Sequence, residues 1–153
     1  TFRIYFPQTI TKTETAPIKF TELNPTGHEH ILVVDDEISI VVMEKRMLES
    51  LGYQISACTS SPEALKIFQN QSENIALVIT DMTMPDMTGI ELIQSIRAIR
   101  PNIPIILCSG FNELIDEKNT TCIPDLKYLN KPVLKRNFAL AIRGLLDNSK
   151  RPE

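Results

Sequence analysis

Long hydrophobic runs are missing from this chain: no apolar stretch approaches the ~20 residues that a membrane span needs. Nor does a charged, apolar and small-residue signal peptide open it. Basic runs are absent too, none being longer than a pair such as Lys135-Arg136, and the net charge is −3. Nucleic-acid binding by this segment alone is therefore not expected. Cysteine is sparse: Cys58, Cys108 and Cys122 are irregularly spaced, with no CxxC. Buried, reduced thiols of a cytosolic protein are the expectation, ahead of a disulfide or a metal site. Glycine-rich phosphate loops are lacking as well. There is no GxGxxG, and no Gly/Ser/Thr cradle follows the first strand, so an FMN carrier and a Rossmann nucleotide domain are poor readings.

What remains is ordinary globular material, 42% hydrophobic and 23% charged over 153 residues. That is one domain plus extras, long enough to bury a core. Ile31–Val34 reads as a buried strand with Asp35-Asp36-Glu37 at its end. A helix from about Ile38 to Leu51 follows, with Ile40, Met43, Met47, Leu48 and Leu51 on one face. Glu44 falls inside that stripe, an acid where the pattern asks for an apolar side chain. Gly52 suits the helix end, and Tyr53–Cys58 is a second strand. Ser60 or Ser61 caps the next helix, with Pro62 in its first turn and Ala64, Leu65 and Phe68 inward. Ile75–Ile79 is a strand buried on both faces that ends at Asp81. Thr88-Gly-Ile-Glu91 has capping-box form, leading a helix that buries Leu92, Ile93, Ile96 and Ile99 and stops at Pro101. Ile103–Cys108 is a strand ending at Ser109-Gly110, and a short acidic helix spans Asn112 to about Asn119. Leu126–Asn130 is the last strand, and a helix from Leu134 to Leu146 buries Leu134, Phe138, Ile142 and Leu145. Strand and helix thus alternate five times. The expectation is α/β: a doubly wound, five-stranded parallel sheet in the flavodoxin-like order 2-1-3-4-5, with right-handed crossovers.

In such a sheet the functional crevice lies outside the carboxyl ends of the strands. Asp35 and Asp36, Asp81, Ser109 and Lys131 fall there. Three carboxylates together repel one another, and a hard divalent cation such as Mg²⁺ resolves the conflict with carboxylates, a carbonyl and waters. With the Lys131 ammonium and the Ser109 hydroxyl, the set makes a cradle for a phosphoryl group, for which a carboxylate can be the nucleophile. Taken alone, each residue has a blander role: helix N-cap for Asp35 or Asp36, loop serine for Ser109, solvated lysine for Lys131. His28-Glu-His30 reads as solvated rather than metal-binding.

The combination Val33-Val-Asp35-Asp36-Glu37, Thr80-Asp81-Met-Thr-Met84-Pro85-Asp-Met-Thr-Gly89, Cys108-Ser109-Gly110 and Lys131-Pro132 resembles the receiver domain of two-component response regulators. The resemblance implies that Asp81 accepts a phosphoryl group from a phosphohistidine. It implies Mg²⁺ (or Mn²⁺) held by Asp36, by Asp35 directly or through water, by Asp81 and by the Thr83 carbonyl. Lys131 would pair with the phosphoryl group and Ser109 would sense it. Tyr128 would be the aromatic switch, altering the surface of the acidic helix, last strand and final helix. The domain would occupy residues 30–147, with 148–153 as a tail.

Thr1-Phe-Arg-Ile-Tyr-Phe-Pro7 resembles the closing strand of the ATP-binding domain of sensor histidine kinases, and residues 8–29, rich in threonine, read as a linker. The chain opens on Thr1 rather than methionine, so a fragment of a hybrid sensor histidine kinase is expected. Expected partners are the kinase core of the same chain or a histidine phosphotransfer protein, with a homodimer compatible; the expected location is cytoplasmic. Catalysis would extend at most to the fragment's own phosphorylation and dephosphorylation. The alternatives are a degenerate receiver that only binds partners, and an aspartyl-phosphate phosphatase of the haloacid dehalogenase type. The latter needs a second Asp where Thr83 stands.

Overall fold

The three most apolar runs become the three central strands. In the computed structural model, which describes residues 24–110 and 125–149, these are β1 (His30–Val34), β3 (Ile75–Asp81) and β4 (Ile105–Ser109), buried almost throughout. The more polar runs, β2 (Gln54–Cys58) and β5 (Leu126–Asn130), are half-buried and take the edges. All pairings are parallel, in the order β2-β1-β3-β4-β5. The helices are α1 (Ile38–Glu49), α2 (Ser61–Gln71), α3 (Gly89–Ile99) and α4 (Lys135–Asn148).

Alternate strand residues serve opposite faces. Ile31 and Val33 join Ile79 and Ile106 in a core closed by Leu48 of α1 and by Phe138 and Ile142 of α4. Leu32 and Val34 join Val78 and Leu107 in a second core, closed by Phe68 of α2 and by Leu92 and Ile96 of α3. Phe68 and Phe138 are wholly buried. Truncating either to alanine removes about 3–5 kcal/mol.

Some helix faces differ from expectation by part of a turn. On α1 the buried residues are Val41, Glu44 and Leu48, whereas Met43 is exposed. Ile99 is exposed at the last turn of α3, and Leu134, the residue preceding α4, is 64% exposed. Leu146 fills the inner position at the end of α4, where Leu145 is only partly buried. The anticipated strand at residues 1–6, helix at 112–119 and Cys122 lie outside the described residues.

Residues 24–29 have no regular structure, yet they are tied to the domain. The Gly27 amide donates to the Leu51 carbonyl (3.1 Å) and the Gln54 amide to the Glu29 carbonyl (3.1 Å). Gly52 has φ +97°, and a side chain there would strike the Gly27 carbonyl, so glycine serves both the turn and the close approach. Glu29 meets Arg143 of α4 at 2.7 Å, and the Arg143 guanidinium lies 5.9 Å from the centre of the Tyr53 ring. Burial works against ionisation of Glu29, but Arg143 and the amides of Glu29 and His28 outweigh it and bring its pKa down to about 2. The folded-state value lies below the ordinary 4.5, so the pair stabilises the fold above that pH. The contribution disappears as pH falls from 4.5 toward 2. Glu29→Gln should therefore cost about 1 kcal/mol at pH 7. Urea unfolding of both proteins as a function of pH should show the difference shrinking to nothing in that acid window.

Candidate functional site

The sheet pairing runs past the ends of its strands, and it is this continuation that places the polar residues. The Asp35 amide donates to the Cys58 carbonyl (3.4 Å), the Met82 amide to the Cys108 carbonyl (2.9 Å), and the Lys131 amide to the Ser109 carbonyl (2.8 Å). Asp81 stands opposite Cys108, and Ser109 opposite Asn130. The Lys131–Pro132 bond is cis.

Lys131 Nζ lies 2.5 Å from Asp35 Oδ2 and 2.6 Å from Asp81 Oδ1. Each carboxylate has its other oxygen on a main-chain amide: Asp35 Oδ1 accepts from Glu37 (2.9 Å) and Asp81 Oδ2 from Thr83 (2.9 Å). Both acids are buried, Asp35 at 2% exposure. Two buried carboxylates at this separation need a cation and oriented donors, and these supply both. Burial alone would lower the Lys131 pKa, but its hydrogen bonds to Asp35 and Asp81 raise it above the ordinary value, so it is an ammonium across the physiological range.

The structure therefore brings Asp35, Asp81 and Lys131 into one cluster. Asp36 is exposed beside it and takes no part in these ion pairs. Ser109 is 1% exposed, and its hydroxyl donates to Asn130 Oδ1 (3.3 Å). Thr83 is exposed in the loop after β3. Tyr128 is half-buried opposite Leu107 and packs against the core on the α2–α3 face. His28 and His30 join no cluster of acids. His30 Nε2 lies 2.9 Å from Ser56 Oγ instead.

The loop from Met82 to Thr88 is held at several points. Asp86 adopts φ 69°, a left-handed conformation that aspartate tolerates. The Ser61 hydroxyl donates to the Met87 carbonyl (2.8 Å). Thr88 completes its capping box with Glu91, whose carboxyl the Thr88 amide and hydroxyl hold below the usual range. Gly89 follows, and a Cβ there would collide with the Asp81 carbonyl and Leu107.

Two contributors escape a reading of residue types, and a third is only hinted at. The role of Gly89 is a close approach that spacing alone does not reveal. Asn130 is an exposed residue at the end of an edge strand and carries no signal at all. Glu44 did leave one, as the acid inside an apolar stripe. It is 3% exposed on α1. Burial, then the Asp35 carboxylate, push its pKa up to about 7; Lys131 opposes and Asp81 adds to the rise.

Among the described residues no group of three or more His, Cys, Asp or Glu side chains is arranged as a metal cage. The expected trio of Asp35, Asp36 and Asp81 is thus only partly assembled, with Lys131 spanning two of its members. The donor set still fits Mg²⁺, which takes one or two carboxylates and keeps several waters. Asp35 and Asp81 aim oxygens at one shared cationic position.

A doubly wound sheet with acids after strands 1 and 3 and a lysine after strand 5 defines a class of signalling domain. The chain belongs to it: the response regulator receiver domain family matches residues 31–143. The chain is 29% identical over 157 residues to the sensor kinase CckA of Brucella abortus, a match covering 96% of this chain and 16% of that protein. A receiver domain protein from Clostridium thermocellum superposes with a TM-score of 0.75 at 33% identity, covering 80% of this chain and 97% of that one. The receiver domain of the hybrid histidine kinase CckA gives 0.65 at 25% identity, covering 76% and 98%.

The burial of Glu44 has a measurable consequence. Its folded-state pKa of about 7 lies above the ordinary 4.5, the reverse of Glu29. Below pH 4.5 it is neutral folded or unfolded and costs nothing. Between 4.5 and 7 only the unfolded chain ionises freely, so stability falls as pH rises, and above 7 the cost is constant. Glu44→Gln should match the wild type at pH 4 and exceed it by roughly 2–3 kcal/mol at pH 8. Urea midpoints across that range, with chelator present, measure the difference; a gap independent of pH would mean that the carboxyl ionises normally.

Proposed function

We propose that this chain is a phosphoacceptor domain that takes a phosphoryl group from a phosphohistidine onto Asp81 in a Mg²⁺-dependent two-component relay. The observation that carries the reading is Lys131 Nζ lying within 2.6 Å of both the Asp35 and Asp81 carboxylates. In the transfer, an Asp81 oxygen attacks phosphorus as the bond from phosphorus to the imidazole nitrogen breaks. The bonding pair returns to that nitrogen, and imidazole leaves neutral if its other nitrogen carries a proton. The Thr83 amide fixes the orientation of the Asp81 carboxylate. Lys131 offers its charge to the incoming phosphoryl oxygens, and Ser109 offers its hydroxyl. Asp35, Asp36, Asp81 and the Thr83 carbonyl would hold Mg²⁺ (or Mn²⁺). When bound, the ion supplies positive charge against the phosphoryl oxygens. Tyr128 is the residue proposed to respond when Ser109 moves.

The donor must approach over neighbouring surface. Ile38 and Leu134 are exposed apolar residues two and three positions after Asp36 and Lys131, and Val42 is exposed one turn further along α1. Such side chains beside a buried acid site suit a helical donor, whether a kinase core or a histidine phosphotransfer protein. The CckA match extends well upstream of residue 31, which supports a hybrid kinase as the parent protein. Free Cys58 and Cys108, both buried, and the lack of a long apolar helix among the described residues support a cytoplasmic location. An interaction-only receiver is favoured by one observation, the absence of a three-acid cage among the described residues.

Incubation with acetyl phosphate and Mg²⁺ distinguishes these readings. The chain should acquire an acid-stable, base-labile label that Asp81→Asn reduces to background. Lys131→Ala should slow labelling about 100-fold. A label that persists in Asp81→Asn would move the acceptor elsewhere, and an unlabelled wild type would leave the interaction module.

A further inference from the structure

The Ser109 hydroxyl has a single proton to donate, and in this structure it goes to the side-chain oxygen of Asn130. The pair faces across the β4–β5 ladder, where Ser109 and Asn130 are register partners. The residue that follows β5 is Lys131, whose amide donates to the Ser109 carbonyl. Asn130 and Lys131, consecutive in the chain, thus hold Ser109 by its side chain and by its main chain. The two bonds differ in permanence. The main-chain bond belongs to the sheet. The side-chain bond, at 3.3 Å, is long for a hydroxyl donor, and its acceptor is an exposed residue on an edge strand. Asn130 can let go without disturbing the core.

We propose that Asn130 is a positioning residue for the Ser109 hydroxyl. It engages that hydroxyl in the unmodified protein, and so sets how readily the hydroxyl is released to a phosphoryl oxygen on Asp81. The proposal rests on the phosphoacceptor reading. One proton cannot serve both acceptors in full. A hydrogen bond to a charged phosphoryl oxygen is stronger than one to a neutral amide, so the exchange runs toward the phosphoryl group. The lost amide bond still subtracts from it. A neutral hydrogen bond that must be given up is worth about a fivefold change in an equilibrium constant. Asn130 therefore biases the domain toward its unmodified state.

Binding of beryllofluoride, a phosphoryl mimic, to the 153-residue chain in Mg²⁺ tests this, followed by ¹⁹F NMR and titration calorimetry. Asn130→Ala should bind about fivefold tighter than wild type. Asn130→Val, which also lacks the acceptor and suits an edge strand, should do the same. In a Ser109→Ala background, Asn130→Ala should change nothing, because no hydroxyl remains to compete for. Wild-type affinity in both Asn130 variants would overturn the proposal, as would equal tightening with and without the Ser109 hydroxyl. A wild-type chain that binds no beryllofluoride and takes no label at Asp81 would remove the phosphoacceptor reading itself, and the role of Asn130 with it.

Discussion

One ammonium between two carboxylates sets the terms at the carboxyl edge of this sheet. Asp35 follows β1, Asp81 ends β3 and Lys131 follows β5, so the two ion pairs join residues 96 and 50 positions apart in the chain, counting 35 to 131 and 81 to 131. Without the lysine, two carboxylates would stand buried and close, an arrangement that costs several kcal/mol unless one is protonated. The lysine and the two amide donors leave every oxygen of both carboxylates engaged. The apolar strands beneath are what make this rigid. They hold the three chain ends at fixed offsets, so the charges meet without ordering any flexible segment.

Around that cluster, charge is distributed unevenly, and Glu44 shows the limit of what one lysine can balance. It is buried on α1, and burial first, then the fields of Asp35 and Asp81, disfavour its charge, which Lys131 offsets only in part. The result is a carboxyl pushed to about 7, whereas Glu29, given its own guanidinium, is brought down to about 2. The same residue type differs by five units, by subtraction of these two values, within one small domain. Burial raises Glu44 with no cation in hydrogen-bond reach to oppose it, whereas the less buried Glu29 is held down by the Arg143 guanidinium and two amides.

The sheet was legible because its signal is simple. Uninterrupted apolar runs such as Ile75–Ile79 can only be central strands when helices alternate with them, and the strand order and the residues at the strand ends follow from topology. Helix faces were less legible. Period and apolar content placed Met43 and Ile99 inside, but a helix rotated by a fraction of a turn exchanges Met43 for Val41 at little cost. Between two adjacent aspartates, residue type cannot say which is buried. Asp35 is the one that meets the lysine, and Asp36 faces solvent beside it. Residues 24–29 looked like linker because glycine, histidine and glutamate carry no periodicity. Their attachment depends on Arg143, which lies 114 residues away from Glu29.

Asn130 is the extreme case, since nothing about an exposed asparagine marks it, and its effect exists only through the residue opposite. That is a consequence of parallel pairing. Each strand end is a row of neighbours drawn from distant parts of the chain, so a functional side chain on one strand is always adjacent to an ordinary one on the next. Ser109 has Cys108 and Gly110 beside it in sequence, neither of which can accept its proton well, and Asn130 beside it in space. A buried hydroxyl must find an acceptor. Whichever residue occupies the position before the lysine decides whether that acceptor is its neighbour on the sheet or the group that arrives at Asp81. On the proposed reading, the balance of such a switch is therefore adjustable at a site that touches neither the proposed metal ligands nor the Asp81 carboxylate.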